Sequence, residues 1–298
     1  MAIVSMTGFG RGEAQADGIK AIVELGTVNR KQFDCNVSMP RELGCLESKL
    51  HALIHAKIVR GYVKGAVNIS AATDSGGTTN LIDIEKARAQ VAALRNAATE
   101  LGLTDDLHAS TLLRLPEMMR GASVLGDDPT ALWPLIEQAT HAALQKLAEM
   151  RQLEGTALDR DLRQRFDALQ RISEKIAPLA VVVPKNYQAT LEKRLAELLG
   201  SGKEGIVDPA LLAREVAVFA DRCDVSEELT RLASHFVQVT KTLDEGNACG
   251  RTLDFLCQEL FREINTTGSK ANDAEITRLV IEFKAGLEAA REQVQNIE

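Results

Sequence analysis

From Lys20 to Leu25, and again from Val63 to Ser70, apolar and polar residues alternate, the period of half-buried strands. Between them the period changes: Leu43, Leu46, Leu50, Leu53, Ile54 and Ile58 recur at three- and four-residue steps, which predicts an amphipathic helix closed by Arg60-Gly61. The first 80 residues read as a small α/β unit of order β-β-α-β. Asp74-Ser-Gly-Gly-Thr-Thr-Asn80 is small, polar and glycine-bearing, and reads as the linker that ends it. Gly8-Phe-Gly-Arg-Gly12 lacks the preceding strand and following helix of a dinucleotide site and reads as a turn.

Beyond residue 80 the pattern is helical: Asp83 to Leu101, Ala131 to Ala177, Tyr187 to Leu199, Pro209 to Glu245, Thr252 to Thr266, and Asp273 onward. The expected class is α+β, with an N-terminal α/β domain over 1–80 and a helical domain over 81–298. Ala139 to Ile176 predicts a long helix or helical hairpin whose apolar stripe needs a partner, and self-association is the natural way to supply one.

Composition narrows the classes. Hydrophobic residues at 45 % and charged residues at 26 % describe a globular chain rather than a disordered one. Aromatics at 4 % argue against a platform of Tyr and Trp for stacking bases. Five widely spaced cysteines without C-x-x-C indicate neither a disulfide framework nor a zinc ribbon, and suit a reducing cytoplasm. No apolar run has the length of a signal peptide or a membrane span, so the expectation is a cytoplasmic protein with no membrane partner. The net charge of −7 is uneven: nine basic and seven acidic side chains in the first 80 residues give +2 there and −9 in the rest. Contact with nucleic acid would then need a local basic surface.

Two stretches carry candidate chemistry. If Asp221 to His235 is one helix, Asp221, Asp224, Glu228, Arg231 and His235 share a face, while Val225, Leu229, Leu232 and Phe236 line an apolar one. Clustered carboxylates repel unless a cation neutralises them, and oxygen ligands with one imidazole suit Mg²⁺ or Mn²⁺. The same spacing also fits a solvent-facing helix on which Glu228 pairs with Arg231. In Gly250 to Lys270, Leu253, Leu256, Cys257, Leu260 and Ile264 form a buried stripe. Arg251, Asp254, Gln258, Arg262 and Asn265 then occupy a second face, and Glu259 with Glu263 a third. Arg251 and Arg262 could grip phosphates through bidentate forks, with Gly268-Ser-Lys270 as a helix end beside a cation. A polar seam between subunits fits that second face equally. Cys223 and Cys257 fall at or beside apolar helix positions and read as core. The signatures of P-loop, zinc-protease and α/β-hydrolase chemistry are absent from the sequence.

These motifs together resemble the YicC/YloC family of bacterial endoribonucleases over essentially the full length. The resemblance rests on Ser5-Met-Thr-Gly-Phe9, Val23-Glu-Leu25 with Val28-Asn29, Arg60-Gly61, the block Asp224 to His235, the block Gly250 to Thr266 with Ser269-Lys270, and Arg291 to Glu298; its C-terminal part covers about 215–298. It implies a divalent-metal-dependent endonuclease acting on RNA, with a role in small-RNA turnover, and a homo-oligomer, a hexamer in similar members. On that basis, and from residue type and spacing, the expected metal ligands are Asp221, Asp224, Glu227 and Glu228, with Glu259 or Glu263 from neighbouring helices and His235 as further candidates. The expected catalytic groups are Glu228, His235, Glu259 and Glu263, and the expected RNA-binding residues are Arg30, Lys31, Arg60, Arg251, Arg262 and Lys270. The chain departs from the family pattern at several basic positions. Gly26-Thr-Val-Asn-Arg-Lys31 stands where Arg-Ser-Val-Asn-x-Arg is usual, and Ser38-Met-Pro40 where Arg-Leu-Pro is usual. His51 and His55 lie in a region usually richer in arginine, and Phe261 replaces a common Asn. The alternative expectation is an oligomeric RNA-binding scaffold that hands RNA to another nuclease.

Overall fold

A computed structural model describes residues 3–30, 32–71, 84–102, 104, 108, 128–199, 208–246 and 249–297. It is an α+β chain, as the hydrophobic pattern predicts, divided into two compact units: Thr7–Arg151, and Met1–Met6 with Gln152–Glu298. The compact unit that holds the sheet runs on to Arg151. The first turns of the long helix contribute Leu135, Ile136, Ala139, Ala143 and Leu147 to the core of the sheet unit, which the sheet's own residues do not fill. The linker expected at Asp74–Asn80 lies outside the described residues.

The N-terminal unit has strands β1 (Gly8–Ala16), β2 (Ile19–Val28), β3 (Asp34–Ser38) and β4 (Tyr62–Ala71), with a 3-10 turn at Arg41–Leu46 leading into helix α1 (Glu47–His55). Sheet order is β1-β2-β4-β3, antiparallel except for the parallel β3–β4 pair. Leu43, Leu46, Leu50, Ile54 and Ile58 are buried against Val23, Leu25, Val63 and Val67, so the helical and strand periods meet in one core. Each large apolar side chain fully buried there is worth about 1.5–3 kcal/mol.

Two strands depart from the sequence reading. Gly8–Gly12 is not a turn but the start of β1, whose buried face is Gly10, Gly12 and Ala14. A Cβ on Gly10 would lie 2.1 Å from the Ala143 carbonyl oxygen, and one on Gly12 1.9 Å from that of Ala139, so the glycines let the sheet meet a helix backbone. β3 is a short edge strand without a fully buried residue, which leaves little hydrophobic signal.

Among the described residues, helix α2 (Ile84–Glu100) is followed by a 3-10 turn at Pro129–Leu132 and the 67-residue helix α3 (Trp133–Leu199). α3 runs through Pro178 and Pro184, where the sequence predicted a break: proline lowers helix propensity without forbidding a helix held by its neighbours. Then come α4 (Pro209–Arg222), α5 (Ser226–Glu245), α6 (Gly250–Lys270) and α7 (Ala274–Val294). Leu162, Phe166, Leu169 and Ile176 of α3 pack with Leu232, Phe236 and Val239 of α5, Leu253, Leu256 and Leu260 of α6, and Ile276, Leu279 and Phe283 of α7. Residues 3–6 close this unit: Ile3 joins its core, Ser5 bridges Ile297, and the Met6 amide donates to the Asn296 carbonyl at 2.8 Å.

Candidate metal and RNA site

The stripe expected from Asp221 to His235 does not form on one helix. Pro209–Glu245 is two helices because the Asp224 carboxylate accepts from the Ser226 amide at 2.9 Å, satisfying an orphan donor at the start of α5. Those bonds from Ser226 hold the Asp224 carboxyl below its ordinary range. Asp221 is exposed at the end of α4, and Glu227 is exposed and ion-paired with Arg231. Glu228 is 5 % exposed, and its Oε1 accepts from Lys270 Nζ at 2.7 Å. Asp224, Glu227 and Glu228 thus each have a partner and lie in the field of Lys270, and none of the four expected metal ligands belongs to the described group whose ligand atoms converge.

A different group does. One ligand atom each from His235, Glu259 and Glu263 lies within 4.8 Å of the others, the group among the described residues that could hold a metal ion. The helices bring it about by running antiparallel. Glu228 meets Lys270, Arg231 meets Glu263 with 3.5 Å between NH1 and Oε1, and His235 meets Glu259 and Glu263. Apolar residues on both helices, among them Leu232, Phe236, Leu256 and Leu260, fix this register by burial.

The donor set fits a divalent cation. Glu259 and Glu263 are four residues apart on one helix face, a spacing at which like charges repel, and Glu263 is 3 % exposed. His235 Nδ1 is buried without a hydrogen-bond partner among the described residues. Two carboxylates and one imidazole suit Mn²⁺, and Mg²⁺ with retained waters.

The cations expected to hold RNA are distributed over both units. Arg262 is exposed beside the site, its NH1 4.0 Å from Glu259 Oε2. Arg251 is exposed about three turns nearer the start of α6. On the face they share, Asp254 accepts from Arg291 at 3.0 Å and from Gln258 at 2.9 Å. Lys270 belongs to the last turn of α6, so Gly268–Lys270 lies at an end that presents carbonyls and offers phosphate no helix N–H groups. Its ammonium pKa is raised, first by the hydrogen bond to Glu228. In the N-terminal unit, Arg30 pairs with Asp34 and lies 5.6 Å over the Tyr62 ring, and half-buried Arg60 has an Nε without a partner among the described residues. Lys31 lies outside the described residues.

Of the expected catalytic set the structure gathers His235, Glu259 and Glu263 and leaves Glu228 with Lys270. The sequence signal that could have redirected the metal assignment is Asp224-Val-Ser226-Glu-Glu228, a helix-start signature that separates Asp221 from Glu228.

Comparison with known proteins covers the whole chain. The family description "Endoribonuclease YicC-like, N-terminal region" matches residues 3–160, and "Endoribonuclease YicC-like, C-terminal" matches 176–298. A Clostridioides difficile (strain 630) protein named "Probable endoribonuclease YicC" is 37 % identical over 303 aligned residues, covering 99 % of each chain. A Haemophilus influenzae protein of the same name is 29 % identical over 296 residues, covering 99 % of this chain and 100 % of that one.

Proposed function

This chain belongs to the YicC-like endoribonuclease family, and from that premise we propose that it cuts RNA internally with a divalent cation, Mn²⁺ or Mg²⁺, held by His235, Glu259 and Glu263. The observation that carries the reading is the convergence of those three ligand atoms within 4.8 Å, on two helices whose register is set by the core. When bound, such a cation supplies positive charge beside the scissile phosphate and lowers the pKa of a coordinated water.

The chain's own residues do the rest. Glu263, buried and braced by Arg231, fixes one ligand position. His235 brings a nitrogen donor from the facing helix. Arg262 stands next to Glu259 with most of its side chain in solvent, placed to take a phosphate oxygen of the RNA. Arg251 extends the cationic contacts along the backbone, and Arg30 and Arg60 are further proposed RNA contacts within the N-terminal unit. Lys270 and Glu228 lock α5 to α6 below the site. The proposed setting is the cytoplasm, with small RNAs as substrates and a homo-oligomer, a hexamer, as the working form. No described helix is long and apolar enough to cross a membrane.

The deciding experiment is cleavage of an end-labelled structured RNA with Mn²⁺, with Mg²⁺ and with EDTA, alongside His235→Ala and Glu259→Gln and with calorimetric titration of Mn²⁺. Internal cuts that vanish with EDTA, together with variants that lose both cutting and Mn²⁺ binding, are expected. RNA bound but uncut under every condition would establish the scaffold instead, and full activity in both variants would remove the site.

A further inference from the structure

The face of the N-terminal sheet opposite its core carries a recess that the fold does not need. Strand register sets Phe9, Gly26, Lys64 and Asn36 in one row and Val28, Tyr62 and Asp34 in the next. Over these rows lies a recess of about 470 Å³, lined on this face by Phe9, Glu24, Gly26, Val28, Tyr62 and Lys64. Phe9 and Val28 at its rim are 50 % and 52 % exposed, unusual for large apolar side chains side by side.

Gly26 makes the recess. A glycine inside a strand costs conformational entropy, so its presence calls for a reason. Gly10, Gly12 and Gly65 have one: a Cβ on any of them would meet backbone within 2.4 Å. On Gly26 the nearest atoms to a Cβ are the carbonyl oxygens of Gly8 and Lys64, both at 3.8 Å, an ordinary contact. A side chain would fit here and would fill the recess. Glycine instead leaves a strip of bare backbone between an aromatic ring and a cation.

The charges around it are unequal in what they have left to offer. Arg11, Glu13, Lys20 and Glu24 neutralise one another, with contacts of 2.8 Å (Arg11–Glu13), 3.6 Å (Arg11–Glu24) and 2.6 Å (Lys20–Glu13). Arg30 pairs with Asp34 while covering the Tyr62 ring. Lys64 is exposed and makes no ion pair among the described residues. The recess therefore joins a flat aromatic wall, a flat floor and one uncommitted positive charge.

We propose that this recess holds one unpaired base of single-stranded RNA, stacked on Phe9 over the backbone of Gly26, with Lys64 on a flanking phosphate. The proposal rests on the endoribonuclease reading and names a substrate contact for it. A nucleotide matches all three features together, since every base has a π face and every linkage a negative charge. The low aromatic content of the chain excludes an extended platform, and one position is what the sheet offers.

The test is fluorescence anisotropy of a short fluorescein-labelled single-stranded oligoribonucleotide, in EDTA so that it stays uncut, with wild type, Gly26→Val, Phe9→Ala and Lys64→Gln. Gly26→Val fills the recess with a residue favoured in strands, so its circular dichroism and Tm should match wild type. Losing the stack is expected to weaken binding about tenfold in Gly26→Val and in Phe9→Ala. Lys64→Gln should reduce the salt slope by about one. Undiminished binding by folded Gly26→Val would overturn the proposal. So would a changed sedimentation mass of Gly26→Val without RNA, which would give the face to a second copy of the chain. If wild type cleaves RNA while Gly26→Val binds as tightly, this proposal alone falls. If wild type neither binds nor cleaves RNA, the functional reading falls with it.

Discussion

Lys270 Nζ donates to Glu228 Oε1 at 2.7 Å and so ties the last turn of α6 to the first turn of α5, across 42 residues of sequence. Glu228 is buried and its second carboxylate oxygen has no partner among the described residues, so this ammonium is the charge that compensates it. Removing one member of such a pair leaves an uncompensated buried charge. Lys270→Met is expected to lower Tm by several degrees and Glu228→Gln by less, because the amide needs no counter-charge. The Lys270 pKa is raised above 10.5 in the folded protein, so its contribution is complete below that pH and is lost as pH climbs through the raised value. Thermal melts of wild type and Lys270→Met should converge only at strongly alkaline pH.

Asp224 lies just before the N-cap residue Val225 and accepts from the first amide of α5, and its variants separate that role from metal binding. Asp224→Ala is expected to cost about 1 kcal/mol in urea unfolding, the usual net value of one lost hydrogen bond. Asp224→Asn keeps an acceptor for the Ser226 amide and should retain both stability and metal-dependent cleavage. The Asp224 pKa is depressed below 3.8 by those bonds, so its contribution is present above that pH and is lost as pH falls through the folded value. Loss of activity in Asp224→Asn without loss of Mn²⁺ affinity would show a further role.

The five cysteines should differ sharply towards thiol reagents. Cys45 is exposed, whereas Cys223, Cys249 and Cys257 are buried and Cys35 is half-buried. Burial pushes the Cys257 thiol up to about 12 and that of Cys35 up to about 11, which leaves almost no thiolate near neutral pH. Native protein titrated with Ellman's reagent at mildly alkaline pH is expected to show one fast thiol, removed by Cys45→Ser, and four that react only on unfolding.

Gly12→Ala and Gly26→Ala are the same chemical change in neighbouring strands with opposite expected results. At Gly12 the new methyl would lie 1.9 Å from the Ala139 carbonyl oxygen, so β1 must leave α3, at a cost of about 3 kcal/mol or more. At Gly26 the methyl has ordinary contacts, and replacing a strand glycine should be neutral or slightly stabilising. Denaturant unfolding of the two variants checks both signs.

The same glycines show where the sequence was hard to read. α5 and α6 were legible because Leu232 and Phe236, and Leu253, Leu256, Leu260 and Ile264, repeat at the helical period on their buried faces. β1 was not, since its buried face is Gly10, Gly12 and Ala14, and close approach of backbones leaves no hydrophobic period to detect. In the site, His235, Glu259 and Glu263 stood out by residue type. Their grouping depends on how α5 and α6 pair, a tertiary fact that spacing along one helix does not carry. Asp221, Asp224 and Glu228 looked like one stripe only while the helix was taken as unbroken.

Arg231 gives a last expectation, because it stands between stability and metal binding. Its NH1 lies 3.5 Å from Glu263 Oε1, and its other amino group pairs with Glu227. In the apoprotein this guanidinium is the nearest compensation for buried Glu263. A cation held by His235, Glu259 and Glu263 would meet its repulsion. Arg231→Met should therefore destabilise the metal-free protein by about 1–2 kcal/mol, a value discounted because half of the arginine side chain is in solvent. The same variant should bind Mn²⁺ more tightly, so that saturating Mn²⁺ raises its Tm by more than it raises that of wild type. Melts in EDTA and in Mn²⁺ read both effects, with Glu263→Gln as the comparison: it removes the buried charge and a ligand together, and should lose the Mn²⁺ shift. An Arg231→Met protein whose Mn²⁺ shift is smaller than wild type's would mean that Arg231 organises the site rather than competing for it.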